Sequence, residues 1–108
     1  MSLSTHVLDA TTGVPAHGVA VTLESRIDSE WRRVAEGSTD ADGRIRELGA
    51  PEAGTHRIAF ATGAYFARTG VSGFYPEVTI TFEIVDSGAH HHVPLLLSPF
   101  AFSTYRGS

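Results

Sequence analysis

The sequence predicts an all-β protein, built as a β-sandwich or a small barrel. Turn-forming residues are frequent, since the chain contains 11 glycines and 5 prolines. Between the turns, apolar and polar residues alternate with a period of two, which is typical of half-buried strands. Several short strands separated by turns in this way indicate two packed sheets or one closed sheet.

The first half of the chain contains three predicted strands, over residues 3–9, 19–24 and 31–36. The second of these strands has an inward face formed by its alternate apolar residues, Val19, Val21 and Leu23. The first strand ends in the turn-rich segment 10–13. Residues 40–43, Asp-Ala-Asp-Gly, predict a further turn, because aspartate and glycine favour turn conformations.

The second half begins with a strand over residues 56–61, with Ile58 and Phe60 on one side. Residues 64–69 lie between two glycines and have room for one or two helical turns, so they are the predicted short helix. The strand over residues 77–84 alternates strictly. Its inward face contains Val78, Ile80, Phe82 and Ile84.

The last predicted strand covers residues 91–97. Its inward face contains His91, Val93, Leu95 and Leu97. Its outward face, with the flanking positions, contains His90, His92, Leu96 and Ser98. Pro94 cannot donate a backbone hydrogen bond, which predicts an edge position or a bulge.

Composition and charge narrow the classes of function. The 108 residues have room for one domain, residues 1–108, and the net charge of −4 argues against nucleic acid or an anionic membrane as a partner. Because cysteine and lysine are absent, disulfides, thiolate nucleophiles and Schiff bases are excluded. No apolar run is long enough to span a bilayer and no secretory signal is visible, so we expect a cytoplasmic location and no membrane partner.

Six histidines, three of them consecutive, are the residues best suited to chemistry. On a strand, His90 and His92 share a face while His91 points the opposite way. Two histidines at this spacing can bind a catalytic zinc ion, with His6 as the third ligand. The residues alone leave this alternative open.

The other alternative needs no metal. A histidine can exchange protons with water near neutral pH, while Arg44 or Arg106 orients a planar substrate rich in carbonyl groups. Considered singly, His6 is a partly buried polar residue and Arg44 a solvated charge at a strand end. His17 and His56 are assigned structural roles. The sequence contains no Gly-x-Ser-x-Gly motif and no glycine-rich phosphate loop, which argues against a serine hydrolase or a phosphoryl transferase.

Five segments together resemble the transthyretin-related proteins. They are Ser-Thr-His-Val-Leu-Asp at 4–9, Thr-Gly-Val-Pro at 12–15, Asp-Ala-Asp-Gly-Arg at 40–44, Phe-Tyr-Pro-Glu-Val at 74–78 and the tail at 90–108. The tail ends in Tyr-Arg-Gly-Ser and is similar to that of the 5-hydroxyisourate hydrolases of this family, whereas hormone-carrying transthyretins do not end this way. The resemblance covers residues 3–108 and departs at His91, where an aromatic residue is common.

The resemblance implies a transthyretin-like, two-sheet antiparallel β-sandwich with one short helix. It implies a homotetramer of paired dimers, with active sites in clefts where subunits meet. The implied reaction hydrolyses 5-hydroxyisourate to 2-oxo-4-hydroxy-4-carboxy-5-ureidoimidazoline, on the route from urate to allantoin, without a metal or other cofactor. The alternative is a transthyretin-like module that binds an aromatic small molecule without catalysis.

The resemblance also implies which residues form the site. The predicted catalytic residues are His6, Arg44, His92 and Ser108. The predicted substrate-binding residues are His6, Arg44, Tyr105, Arg106, Gly107 and Ser108. Either histidine could be the base that activates water, while the other protonates the leaving ring nitrogen.

Overall fold

Nine strands and one helix make up the computed structural model, which describes residues 2–108. Their bounds are β1 Leu3–Asp9, β2 Val14–Pro15, β3 Ala20–Ile27, β4 Glu30–Ser38, β5 Arg44–Ile45, β6 Gly54–Phe60, α1 Thr62–Arg68, β7 Val78–Ile84, β8 His91–Ser98 and β9 Ala101–Thr104. The strands form two sheets, so the predicted two-sheet sandwich with one short helix is confirmed. Within residues 2–108, no helix is long and apolar enough to cross a membrane.

The first sheet has the strand order β2-β1-β8-β9, and β5 also pairs with β1. Strands β1 and β8 run parallel, from Leu3 opposite His91 to Asp9 opposite Leu97. The other pairs of this sheet are antiparallel. The structure differs from the predicted antiparallel pattern at this one pair. Parallel neighbours require a long connection, and here most of the chain lies between them.

The second sheet has the order β4-β3-β6-β7 and is antiparallel throughout. Asp28 and Ser29 join β3 to β4 with φ angles of 53° and 67°. Positive φ at both central residues is the geometry of a tight hairpin turn whose twist matches that of the strands. The hairpin extends the strand predicted at residues 31–36 by one residue at its start and two at its end.

The core between the sheets contains the apolar residues that the alternation predicted. Its buried members include Val19, Val21, Leu23, Ile58, Phe60, Val78, Val93, Leu95 and Leu97. Ile80 and Phe82 are partly buried and pack against this cluster. Each fully buried large aliphatic side chain stabilises the fold by roughly 1.5–3 kcal/mol.

The helix α1 begins two residues before the predicted segment and is attached to the first sheet. The Tyr65 hydroxyl donates to Asp9 Oδ2 at 2.8 Å, and both side chains are buried. Burial, followed by the hydrogen bond and the charge of Asp9, raises the pKa of Tyr65 to about 12. At the other end, Arg68 donates to the backbone oxygens of His17 and Gly18. These bonds hold the helix across one side of the sandwich.

Pro94 lies in β8, which has a neighbouring strand on each side, so the predicted edge position is wrong. The predicted bulge is absent too, because Leu95 opposite Thr104 and His92 opposite Gly107 belong to the same register. The pairing of β8 with the tail is interrupted between these two pairs, where Pro94 has no N–H to donate. Thr104 Oγ1 donates to the Pro94 oxygen at 2.8 Å instead.

Candidate active site

Three strands present polar side chains on the outward face of the first sheet. Because side chains alternate along β1, Ser4 and His6 face outward while Leu3 and Val7 point into the core. The register of β1 with β8 puts His92 beside Ser4, and that of β1 with β5 puts Arg44 beside His6. Residues from both ends of the chain and from its middle therefore meet on one face.

A pocket of about 250 Å³ opens on this face. Three predicted site residues, Arg44, His92 and Ser108, line it. The other lining residues are Ser4, Thr5, Ile45, Arg46 and His90. The pocket wall thus combines guanidinium, imidazole and hydroxyl groups, which bind carbonyl and anionic oxygens.

His92 is held on two sides. Its Nδ1 is hydrogen-bonded to Ser4 Oγ at 2.7 Å, and its backbone oxygen accepts from the Gly107 N–H at 2.8 Å. In the part of the chain that the structure describes, Nε2 of His92 has no hydrogen-bond partner. Nε2 is therefore the ring nitrogen available to a ligand.

Burial is the largest cause of the lowered pKa of His92. The charges of Arg44, His6 and His90 lower this pKa further, in that order. An interaction with the Ser4 backbone raises it, and this is the smallest of the causes. A histidine whose pKa lies below its usual value near 6.5 is neutral at pH 7. The His92 ring can therefore accept a proton.

A series of hydrogen bonds extends from His92 toward the surface of the chain. Ser4 Oγ is also 2.9 Å from His90 Nε2, and His90 Nδ1 is 3.0 Å from Ser2 Oγ. Ser4 is only 9% exposed, whereas His90 is exposed. The series thus joins a buried hydroxyl and an imidazole of the pocket to an exposed imidazole.

The turn before β5 determines where Arg44 lies. Asp40 Oδ1 accepts hydrogen bonds from the N–H groups of Asp42 and Arg44, at 2.8 and 2.9 Å. The bond from Arg44 is the main cause of the lowered pKa of Asp40. At Gly43, where φ is 73°, a Cβ would be 2.5 Å from the Val7 oxygen, so only glycine lets the turn approach β1 this closely. The guanidinium of Arg44 forms no hydrogen bond or ion pair with residues 2–108, which leaves it free for a ligand.

The last two residues approach His92 directly. A Cβ at Gly107 would be 2.5 Å from His92 Cδ2 and 3.2 Å from His92 Cγ. Only glycine fits against the imidazole in this position. The next residue, Ser108, lines the pocket.

The remaining predicted residues lie outside this pocket. Tyr105 and Arg106 line a second cavity of about 230 Å³, which His92 also lines together with Ile80 and Phe82. His6 is the neighbour of Arg44 in the sheet and acts on His92 through its charge, but it does not line the pocket. Gly107 also does not line it, although it contacts His92. For every predicted site residue, the role in catalysis or binding stays a prediction.

Residues 2–108 contain no complete ligand set for the zinc site that the histidine spacing left open. His90 and His92 do share the outward face, and both are hydrogen-bonded to Ser4. No group of three or more histidine, cysteine, aspartate or glutamate side chains in this part of the chain is arranged to hold a metal ion. His6 is therefore not a third ligand beside them.

Five lining residues are not among the predicted catalytic or substrate-binding residues: Ser4, Thr5, Ile45, Arg46 and His90. One available signal was the alternation along β1, which puts Ser4 on the same face as His6. The parallel pairing that brings Ser4 to His92 has no such local signal.

Comparison with known proteins identifies the family. Residues 3–107 match the HIUase/Transthyretin family. The chain belongs to this family. The 5-hydroxyisourate hydrolase of Salmonella dublin is 47% identical over 109 residues, which cover 98% of this chain and 80% of that protein. The resemblance predicted from the sequence motifs is confirmed.

The solved structures similar to this chain include a hydrolase and a transthyretin. The 5-hydroxyisourate hydrolase of Klebsiella pneumoniae is 42% identical, with a TM-score of 0.87 and full coverage of both chains. Sea bream transthyretin in complex with thyroxine is 33% identical, with a TM-score of 0.94 and coverage of 99% and 95%. Since the backbone resembles both, the side chains of the pocket must distinguish catalysis from binding.

Proposed function

We propose that this chain is a 5-hydroxyisourate hydrolase, which opens the six-membered ring of 5-hydroxyisourate with water. The main support is that one pocket brings together the imidazole of His92, the guanidinium of Arg44 and Ser108. These groups suit a small, planar substrate with several carbonyl oxygens. The similar protein from Salmonella dublin is named for this activity. The product is then 2-oxo-4-hydroxy-4-carboxy-5-ureidoimidazoline.

In this mechanism His92 is the base. Its neutral ring takes a proton through Nε2 from a water molecule, whose oxygen attacks a carbonyl carbon of the substrate ring. The lowered pKa of His92 supports this assignment, since it keeps the ring unprotonated at neutral pH. The bond between that carbon and the ring nitrogen then breaks, the carbon becomes a carboxylate and the nitrogen accepts a proton. His6, which lies beside Arg44, is the proposed donor of that proton.

Arg44 and Ser108 act on the substrate rather than on the water. The free guanidinium of Arg44 holds the carbonyl edge and stabilises the negative charge that develops on the oxygen. One such donor typically contributes about 10²–10³ in kcat. The hydroxyl of Ser108 binds the substrate, and Gly107 leaves the space that the His92 ring occupies.

We also propose that the active protein is a homotetramer, a dimer of dimers. Three aromatic residues at the end of the chain are exposed, Phe100 at 69%, Phe102 at 38% and Tyr105 at 60%. They belong to β9 and the segments beside it, and β9 is an edge strand. Exposed apolar edges are usually covered, here by another subunit. A second subunit on this edge would also bring Tyr105 and Arg106 close to a substrate bound between subunits. Sedimentation analysis tests the assembly.

The test of the activity follows the ultraviolet absorbance of freshly generated 5-hydroxyisourate with and without the protein. We expect faster decay with the protein, and at least about a hundredfold loss of kcat/KM in His92→Asn. His17→Gln, at an exposed histidine outside the pocket, is the control and should match the unmodified chain. Undiminished hydrolysis by His92→Asn would remove His92 from the mechanism.

Unchanged decay with the unmodified chain would contradict the proposed hydrolase. It would favour the binding module, which the close superposition on sea bream transthyretin in complex with thyroxine supports. A titration with thyroxine then measures that alternative directly. A cytoplasmic location stays a prediction from the sequence.

A further inference from the structure

We propose that Ser4 and His90 relay a proton from His92 to the surface of the chain in each catalytic cycle. The inference depends on the proposed role of His92 as the base and adds two residues to it. Three contacts form the path: His92 Nδ1 to Ser4 Oγ at 2.7 Å, Ser4 Oγ to His90 Nε2 at 2.9 Å and His90 Nδ1 to Ser2 Oγ at 3.0 Å. All three distances are those of ordinary hydrogen bonds.

The hydrogens available along the path allow two states. A serine hydroxyl has one hydrogen, but Ser4 Oγ contacts two imidazole nitrogens. At least one imidazole must therefore donate an N–H to Ser4, and the other can accept the Ser4 hydrogen. In the first state, His92 Nδ1–H donates to Ser4 and Ser4 donates to His90 Nε2. This state leaves Nε2 of His92 unprotonated, as a base requires.

Proton uptake by His92 converts the first state into the second. When Nε2 takes a proton from water, the ring becomes an imidazolium. Its Nδ1 proton passes to Ser4 Oγ, and the hydrogen of Ser4 passes to His90 Nε2. His92 is then neutral and protonated on Nε2, Ser4 is unchanged in composition, and His90 is the cation. To restore the first state, the Nε2 proton of His92 leaves to water after the product has left. At the same time the hydrogen of Ser4 returns to His92 Nδ1 and the Nε2 proton of His90 returns to Ser4 Oγ.

The surroundings favour this direction of transfer. A positive charge on His92 lies in a partly buried position, near the guanidinium of Arg44 and the ring of His6. His90 is exposed, so water can stabilise the same charge there. Moving the proton along the path therefore takes the charge away from Arg44, which must interact with the negative oxygen of the intermediate.

The test compares the steady-state hydrolysis of 5-hydroxyisourate by His90→Gln and the unmodified chain. Glutamine can keep a hydrogen bond to Ser4 but cannot take up a proton. We expect kcat to fall about tenfold or more, with KM nearly unchanged, since proton-transfer groups contribute roughly 10²–10⁴ in rate. Added imidazole should restore kcat in proportion to its concentration, because it replaces His90 as the proton acceptor.

Two further comparisons separate a relay from a structural effect. Ser4→Ala should also lower kcat, whereas Ser4→Thr, which keeps the hydroxyl, should lower it less than Ser4→Ala does. His17→Gln should show neither a loss nor a response to imidazole. Circular dichroism and size-exclusion elution of each variant verify that it is folded.

The outcomes distinguish the relay from the proposed function. If the unmodified chain hydrolyses the substrate and His92→Asn does not, but His90→Gln retains full kcat, only the relay is wrong. A loss in folded His90→Gln that imidazole does not restore also contradicts the relay. If the unmodified chain has no hydrolase activity, both proposals are wrong.

Discussion

Replacing Gly107 with alanine tests how closely the tail constrains His92. The added Cβ would be 2.5 Å from His92 Cδ2, whereas carbon atoms in favourable contact are about 3.5–4.0 Å apart. The imidazole or the tail must therefore move by about 1 Å or more. Gly107 is not among the glycines with positive φ, so alanine causes no backbone strain of its own.

The expected loss is large for activity and small for stability. A misplacement of about 1 Å can reduce an enzymatic rate about 10²-fold, which corresponds to about 2.7 kcal/mol of transition-state stabilisation. We therefore expect kcat/KM for 5-hydroxyisourate to fall by about two orders of magnitude. Gly107 contributes one backbone hydrogen bond at the end of the chain, so the free energy of unfolding should fall by no more than about 1 kcal/mol.

Gly37→Ala is the matched control. A Cβ at Gly37 would be 3.5 Å from Ile45 Cδ1, which is an ordinary contact, and this glycine also lacks a positive φ. Absorbance decay measures activity, and urea denaturation measures stability. If Gly107→Ala were as active as Gly37→Ala, the contact between the tail and His92 would not position the ring.

Three other predictions concern the tail, the pH dependence and the core. Deleting residues 105–108 should abolish hydrolysis and leave the circular dichroism of the sandwich unchanged, because the last strand ends before them. The acid limb of kcat/KM should lie below pH 6.5, since the pKa of His92 is lowered from that value. Arg44→Gln removes a positive neighbour, so it should raise the pKa of His92 and move this limb to higher pH. Tyr65→Phe should lower the free energy of unfolding by about 1–3 kcal/mol in urea denaturation, because the buried carboxylate of Asp9 loses a donor.

Each of these predictions has a result that contradicts it. A folded, fully active truncated chain would mean that the tail has no part in catalysis. An acid limb at or above pH 6.5, or one that Arg44→Gln leaves in place, would separate activity from the protonation of His92. Equal stability of Tyr65→Phe and the unmodified chain would mean that Asp9 finds another partner.

Much of the fold could be predicted because alternation indicates which face of a strand is buried. The first strand has the predicted bounds, Leu3–Asp9, and β7 begins one residue later than predicted. Strands β2 and β5 have two residues each, too few for a periodic pattern. The position of Pro94 was predicted wrongly because a local rule cannot account for an interruption in the pairing with the tail.

Part of the site could likewise be predicted from the sequence, and part of it could not. Arg44, His92 and Ser108 lie in recognisable motifs, and they line one pocket. His90 and His92 share a face by alternation, but Ser4 becomes their neighbour only through the parallel register of β1 with β8. No short stretch of sequence encodes that register, so the hydrogen-bonded path could not be predicted.

The pairing of β1 with β8 makes completion of the pocket a late event in the synthesis of the protein. Ser4 and His92 are 88 positions apart, and joining the ends of a flexible segment of this length costs roughly 4 kcal/mol in chain entropy beyond a constant. During synthesis on the ribosome, the edge of β1 that pairs with β8 remains unpaired until nearly the whole chain has emerged. No shorter nascent chain can contain the pocket, so the first detectable activity would report that the entire domain has folded.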